Sequence, residues 1–158
     1  ADGETISCKG ELLTLRVVQS LFAGPAHRHG GELRVFAANG DAEAHIEQAV
    51  RCWYRREAEQ LFAERVAHFA PLLDVAPRAI KLSTAKTQWG CCTPQGSVHL
   101  NVQLIKLPMR LTDYVVIHEL AHLREMNHSA AFWRVVESAC PDYARMCKEL
   151  RAYSPGVG

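Results

Sequence analysis

The sequence predicts an α+β fold. Three observations carry this: two short β-branched stretches near the N terminus, one long amphipathic stretch behind them, and three helical stretches after an alternating strand. Strands, helix, strands and then helices is a segregated order, unlike the regular βαβ alternation of a parallel α/β fold. At 158 residues the chain has the length of one domain able to bury a core. We take residues 1–158 as that domain, with irregular N-terminal strands over 1–40 and the core over 41–158.

Residues 11–18 (ELLTLRVV) and 32–37 (ELRVFA) are short and partly alternating, and read as two strands. Gly24, Pro25, Gly30 and Gly31 mark a loop between them. Asn39-Gly40 marks a turn, and Asp41 is a good N-cap for a helix starting at Ala42. From Ala42 to about Ala70, the residues Ile46, Val50, Trp53, Leu61, Phe62, Val66 and Phe69 fall mainly on one stripe. This predicts an amphipathic helix that Pro71 ends. Glutamates interleave with Arg51, Arg55 and Arg56, which makes that side a solvated face rather than a nucleic-acid patch.

Arg78 to Ser83 is a candidate strand after Pro77. Residues 97–104 alternate, with Val98, Leu100, Val102 and Leu104 on one side and His99, Asn101 and Gln103 on the other. This predicts a half-buried strand whose polar side faces solvent or a cleft. After Pro108, Thr112 is the expected N-cap of an apolar helix from Asp113 to about Met126. Ser129 caps a helix over 130–139 that Pro141 stops, and Asp142 caps a last one to about Tyr153.

Composition narrows the function classes. The net charge of +1 gives no global pull toward nucleic acid or an anionic membrane. No apolar run approaches the roughly 20 residues that span a bilayer, and residues 1–11 lack the apolar block of a signal peptide. The six cysteines show no CxxC spacing, and Cys91 and Cys92 are adjacent, where a bridge would be strained. Reduced thiols in a cytoplasmic chain are the expectation.

Residues 118–122 read His-Glu-Leu-Ala-His inside a predicted helix. Two histidines four apart share a helix face, so both imidazoles reach one metal ion. Glu119, rotated about 100° around the axis, reaches a water on that ion without being a ligand. Hydrolysis by zinc-activated water needs that arrangement, with the carboxylate as general base and then acid. The motif arises by chance in roughly three of a hundred such chains, so context matters. Its apolar neighbours Val115, Val116, Ile117 and Leu120 supply context, since polar groups buried among them are costly without a function. His128, six residues after His122, is the expected third ligand; Glu137 is the competing one, by analogy with His-His-Glu sites. Glu125 stands where the metzincin pattern has glycine, and Asn127 is expected to make the turn instead, in a left-handed conformation.

Trp89-Gly90-Cys91-Cys92, residues 96–101 (GSVHLN), residues 113–122 (DYVVIHELAH), Asn127-His128-Ser129 and Phe132-Trp133 resemble the YgjP-like metallopeptidase family, which is similar to SprT-like zincins and to compact gluzincin-type domains. The resemblance covers about residues 42–152. It implies a zincin-like α+β domain with a small antiparallel or mixed sheet on helices. It further implies one zinc ion on His118, His122 and His128 with Glu119 catalytic, a sheet strand over 97–104 near the cleft, and residues 89–92 close by. Gln88 and Cys91 depart from the family's usual Arg and Ser. The patch His27-Arg28-His29 reads as an exposed loop rather than a second metal site.

Three functions are weighed. The leading one is a peptidase acting on a peptide or unstructured protein, with an extended substrate pairing to a strand edge. A second is hydrolysis of a nucleotide phosphoanhydride, although no basic pocket or Gly-rich cradle accompanies it. A third is a zinc-stabilised interaction module, for which Glu119 would be unnecessary.

Overall fold

The computed structural model describes residues 2–38 and 43–155; the turn at Asn39-Gly40 and the cap at Asp41 lie outside them. Four strands come first: β1 (Thr5–Cys8), β2 (Glu11–Ser20), β3 (Ala26–His29) and β4 (Glu32–Ala38). They form a mixed sheet in the order β1-β2-β4-β3, with β2 and β4 parallel and the outer pairings antiparallel. The N-terminal part is therefore a regular sheet and not irregular. Two strands escape the sequence pattern because each is only four residues long. Both are fixed by two-residue turns: Lys9 and Gly10 have φ of 53° and 80°, and Gly30 has φ of 62°. Positive φ at such positions gives the turn twist that matches paired strands. His27, Arg28 and His29 thus form an exposed edge strand and not a loop, and Arg28 pairs with Glu11.

Helix α1 (Glu43–Leu72) buries Trp53, Phe62, Val66 and Phe69, the stripe expected from sequence. It runs on past Ala70, with Pro71 inside its last turn. The chain then leaves by a Schellman-like closure: Val75 N–H donates to Ala70 O, Asp74 N–H donates to Pro71 O, and Asp74 has φ of 55°. Glycine usually takes that place, so the sequence carries no stop signal there.

A second sheet comes next, from β5 (Ala79–Ser83), β6 (Gly90–Cys92) and β7 (Ser97–Asn101), ordered β5-β7-β6. β5 is parallel and β6 antiparallel to β7. Val98 and Leu100 are fully buried, as their alternation predicts. The strand ends at Asn101, however, and residues 102–106 form a 3₁₀ helix. The side chain of Asn101 accepts from Gln103 N–H and donates to Ala85 O and Gln88 O. One polar residue facing inward thus terminates a strand that hydrophobicity alone would extend to Leu104.

Helix α2 (Met109–Ala121) begins at Pro108 and not at Thr112. Thr112 is buried in its first turn, with its hydroxyl donating to Leu104 O. The helix also stops earlier than Met126, closing through i→i+3 bonds from His122, Leu123 and Arg124, a tightening common at helix ends. Helices α3 (Ala130–Ala139) and α4 (Tyr143–Leu150) complete the chain. Ser129 caps α3 by accepting from Phe132 N–H, whereas Asp142 precedes α4 with no capping bond. All six cysteines are free. No described helix is long and apolar enough to cross a membrane.

Candidate functional site

Both motif histidines lie at the C-terminal end of α2, His118 inside it and His122 as its cap in helical conformation. The tight i→i+3 exit turns the chain back at once. Ser129 N–H donates to Asn127 O, a three-residue turn centred on His128. Asn127 does not have the left-handed backbone expected of it: among described residues, only Lys9 and Asp74 have positive φ apart from glycines.

This path brings His128 against the helix. Its Nε2 lies 3.3 Å from His118 Nε2 and 3.1 Å from His122 Nε2. The three ligand atoms all fall within 4.8 Å, and no other metal-capable group of three occurs among the described residues. Ligand nitrogens about 2.0–2.1 Å from a tetrahedral zinc stand roughly 3.3 Å apart, so these spacings fit one small divalent ion. Glu137, the competing ligand, is exposed on α3 and does not join the cluster.

The surroundings prepare the imidazoles as neutral ligands. His122 Nδ1 is 3.1 Å from Glu125 O; a carbonyl only accepts, so Nδ1 carries the proton and Nε2 keeps its lone pair. His118 Nδ1 is 3.3 Å from the hydroxyl of buried Tyr114, one turn back. Burial, assisted by His122 and His128, pulls the His118 pKa down to about 4, and burial lowers that of His122 as well. The Phe132 ring lies 4.5–5.0 Å from all three imidazole centroids. Trp133 stacks between His128 and Tyr143. These rings form an apolar wall on one side of the cluster, while His128 is exposed on the other.

Glu119 is only 6% exposed, and burial pushes its pKa up to about 7. Its carboxylate forms no hydrogen bond or ion pair with another described residue. A buried carboxyl without a partner, beside a metal-capable cluster, is the mark of a functional group. Its room comes from Gly90 on β6. A Cβ there would stand 3.2 Å from Glu119 Oε2, 3.0 Å from its Cγ and 2.9 Å from His99 O. Cys91 and Cys92 come directly after that glycine, and burial together with Glu119 raises both thiol pKa values, which favours the neutral thiols.

β6 is an edge strand. Trp89 O accepts from Asn101 N–H and Thr93 N–H donates to Ser97 O. By the alternation of an antiparallel pair, residues 89, 91 and 93 point their backbone groups at β7, and Gly90 and Cys92 point theirs at the open edge. A cavity of about 650 Å³ lies elsewhere, between the N-terminal sheet, α1 and the 3₁₀ helix.

Residues 1–153 match the family described as YgjP-like, metallopeptidase domain. The chain belongs to that family. The match reaches well beyond residues 42–152, so the N-terminal sheet is part of the YgjP-like unit and not an addition to it. The metallopeptidase zymogen abylysin of Pyrococcus abyssi has a similar fold, with a TM-score of 0.54 and 23% identity over 58% of this chain and 92% of that one. No curated protein matches the chain. As a YgjP-like protein this is a metallopeptidase-type hydrolase of α+β fold, with a peptide or protein as its class of substrate. Sequence reasoning named all three histidines and Glu119. It missed what Gly90 and Tyr114 do, although Tyr114 stands at i−4 from His118, a spacing that puts two side chains on one face.

Proposed function

We propose that the chain is a one-zinc peptidase in which His118, His122 and His128 hold the ion and Glu119 moves the protons. The observation that carries this reading is the convergence of three Nε2 atoms beside a buried, unpaired carboxyl. An ion held there supplies Lewis acidity that acidifies water and polarises a carbonyl. The residues do the rest. Glu119 Oε2 accepts a proton from the attacking water and hands it to the nitrogen of the departing amine. Apolar Phe132 limits competing solvent, and the open edge of β6 orients an extended peptide through the Gly90 and Cys92 backbone groups. We read residues 1–158 as one zincin-like unit.

The test is metal analysis with cleavage of an unstructured protein, comparing the wild type with Glu119→Gln. Both should bind about one zinc per chain, and only the wild type should cleave. Zinc binding without cleavage, alongside hydrolysis of nucleotides, would transfer the site to phosphoanhydride chemistry. Equal zinc binding with neither activity would make the ion structural.

A further inference from the structure

The segment His27-Arg28-His29 has no part in the metal cluster, and the fold places it among other cations. Alternation along a strand decides which side chains share a face. Leu13, Leu15, Leu33, Val35 and Ala37 are buried on one face of the N-terminal sheet, so Arg16, Arg34, Phe36 and His27 stand on the other. That second face is open: Arg16, His27 and His29 are exposed, and Arg34 and Phe36 are half-buried. The registers set Arg16 beside Arg34 across β2 and β4, and Arg34 beside His27 across β4 and β3. Two arginines and a histidine thus form one row over three strands, about 10 Å long at about 4.8 Å between strands.

The row continues round the edge of the sheet. A groove of about 470 Å³ runs between edge strand β3 and α1, lined by His27, Arg28, Arg56, Glu57 and Trp53. His27 belongs to both the row and the groove. Arg55 lies near Glu59 on α1, but Arg56 turns to β3, donates to Ala26 O and has no carboxylate partner among the described residues. Glu32 lies between Arg16 and Arg34, Glu11 binds Arg28, and Glu57 is 3.9 Å from Lys9. Lys9, Arg16, Arg28, Arg34 and Arg56 therefore outnumber these three carboxylates by two before either histidine is counted, whereas the whole chain carries only +1. Each of the four guanidiniums also keeps free N–H groups, since its contacts inside the protein occupy one or two of them.

Rings accompany the cations. His27 meets Phe36 edge-on at 6.5 Å. The loop after β2 returns to the same place, where Gly24 N–H donates to Phe36 O. That loop holds Leu21 and Phe22, which at 90% and 80% are the most exposed large apolar side chains among the described residues. Single-stranded nucleic acid brings anionic phosphates and unpaired bases with open faces, which cations and rings side by side recognise. An acidic peptide would use the cations and leave the rings bare. A second copy would set one positive belt against another.

We propose that the open face of the N-terminal sheet and the groove beside β3 bind single-stranded nucleic acid. Its phosphates lie on Arg16, Arg34, Arg28 and Arg56, and a base stacks on Phe22. The surface contains no residue of the metal cluster, so the assignment stands or falls apart from the peptidase reading.

The experiment follows the fluorescence anisotropy of a labelled oligothymidylate of about 12 nucleotides on the zinc-loaded protein, between about 50 and 200 mM salt. Phosphate contacts at the four arginines give a slope of about −3 for the logarithm of affinity against that of salt. Arg34→Ala combined with Arg56→Ala should weaken binding at least about tenfold and roughly halve the slope. Arg145→Ala, on α4, should change neither. Phe22→Ala should weaken binding about fivefold or more with the slope kept. No binding at the lower salt, or a double variant or Phe22→Ala that binds like the wild type, would overturn the proposal. So would competition by polyglutamate as strong as by the unlabelled strand, duplex bound as well as single strand, or a loss in Arg145→Ala as large as in the double variant.

Discussion

Gly90 and Glu119 meet across the packing of β6 on α2 so closely that a single methyl group on the glycine would come within 3.2 Å of the Glu119 carboxylate oxygen. The same methyl would stand 2.9 Å from His99 O, which is backbone and yields little. Gly90→Ala must therefore displace either the edge strand or the carboxyl. Overpacking of this kind costs about 1–3 kcal/mol, and a misplaced general base loses about two orders of magnitude in rate. We expect kcat to fall on the order of a hundredfold while zinc stoichiometry is kept, because the three atoms nearest the Gly90 Cβ position are His99 O and two of the Glu119 side chain, none of them a histidine ring atom. Loss of zinc together with activity would show that the glycine serves the fold and not the carboxyl.

Burial of Glu119 has a pH signature in the metal-free protein. Its folded pKa is raised to about 7 from an ordinary 4.5, so between those values the native state holds a proton that the unfolded state has released. Stability is therefore lost as pH rises through that window, by on the order of 3 kcal/mol. His118 has the opposite sign. Its pKa falls to about 4 from 6.5, so stability is gained as pH rises from about 4 to 6.5. Comparing urea unfolding of wild type and Glu119→Gln from pH 4.5 to 7.5 cancels the histidine contribution. The wild type should lose stability relative to the variant across that range, and parallel curves would contradict the buried carboxyl.

The third ligand is open to direct assay. His128 Nε2 sits 3.1 and 3.3 Å from the other two ligand nitrogens, and exposed Glu137 is no part of the cluster. His128→Ala should weaken zinc binding by at least about a hundredfold, and Glu137→Ala should leave it near wild type. Competition with a chromophoric chelator measures both. The reverse ranking would make Glu137 the ligand.

Tyr114 should matter through His118. Its hydroxyl lies 3.3 Å from His118 Nδ1, and partners of this kind fix the ring and typically contribute 10–100-fold in metal affinity. Tyr114→Phe removes one buried oxygen and little volume. We expect about tenfold weaker zinc binding with a melting temperature, measured without metal, that changes by only a few degrees. Unchanged affinity would leave Tyr114 as packing alone.

The site was more legible in sequence than the fold. Histidines four apart on an apolar helix state their chemistry through local geometry, and His128 comes only six residues later. The N-terminal sheet was half visible because β1 and β3 are too short to show a period, and their pairing depends on φ at Lys9, Gly10 and Gly30. Boundaries slipped where one side chain overrode a pattern. Thr112 resembles a cap but bonds Leu104 O from inside the helix, and Asp74 closes α1 where no glycine announces it.

Asn101 is the plainest case of that override, and it yields a stability prediction. By alternation it belongs on a polar face, yet it is 0% exposed. It spends its amide on Ala85 O and Gln88 O at 2.7 and 3.0 Å and its oxygen on Gln103 N–H at 2.9 Å. Asn101→Ala would strand two carbonyls and one N–H around a new void, at about 1–3 kcal/mol for a buried group left unsatisfied. We expect a total loss of about 3–4 kcal/mol in urea unfolding. The segment released would be 85–89, which leads into Trp89 and Gly90, so KM should rise as well as stability fall. Asn101→Asp should not rescue, since a carboxylate cannot donate to the two carbonyls. A variant as stable as wild type would mean that the strand ends at residue 101 for another reason, with the 3₁₀ helix holding its own start.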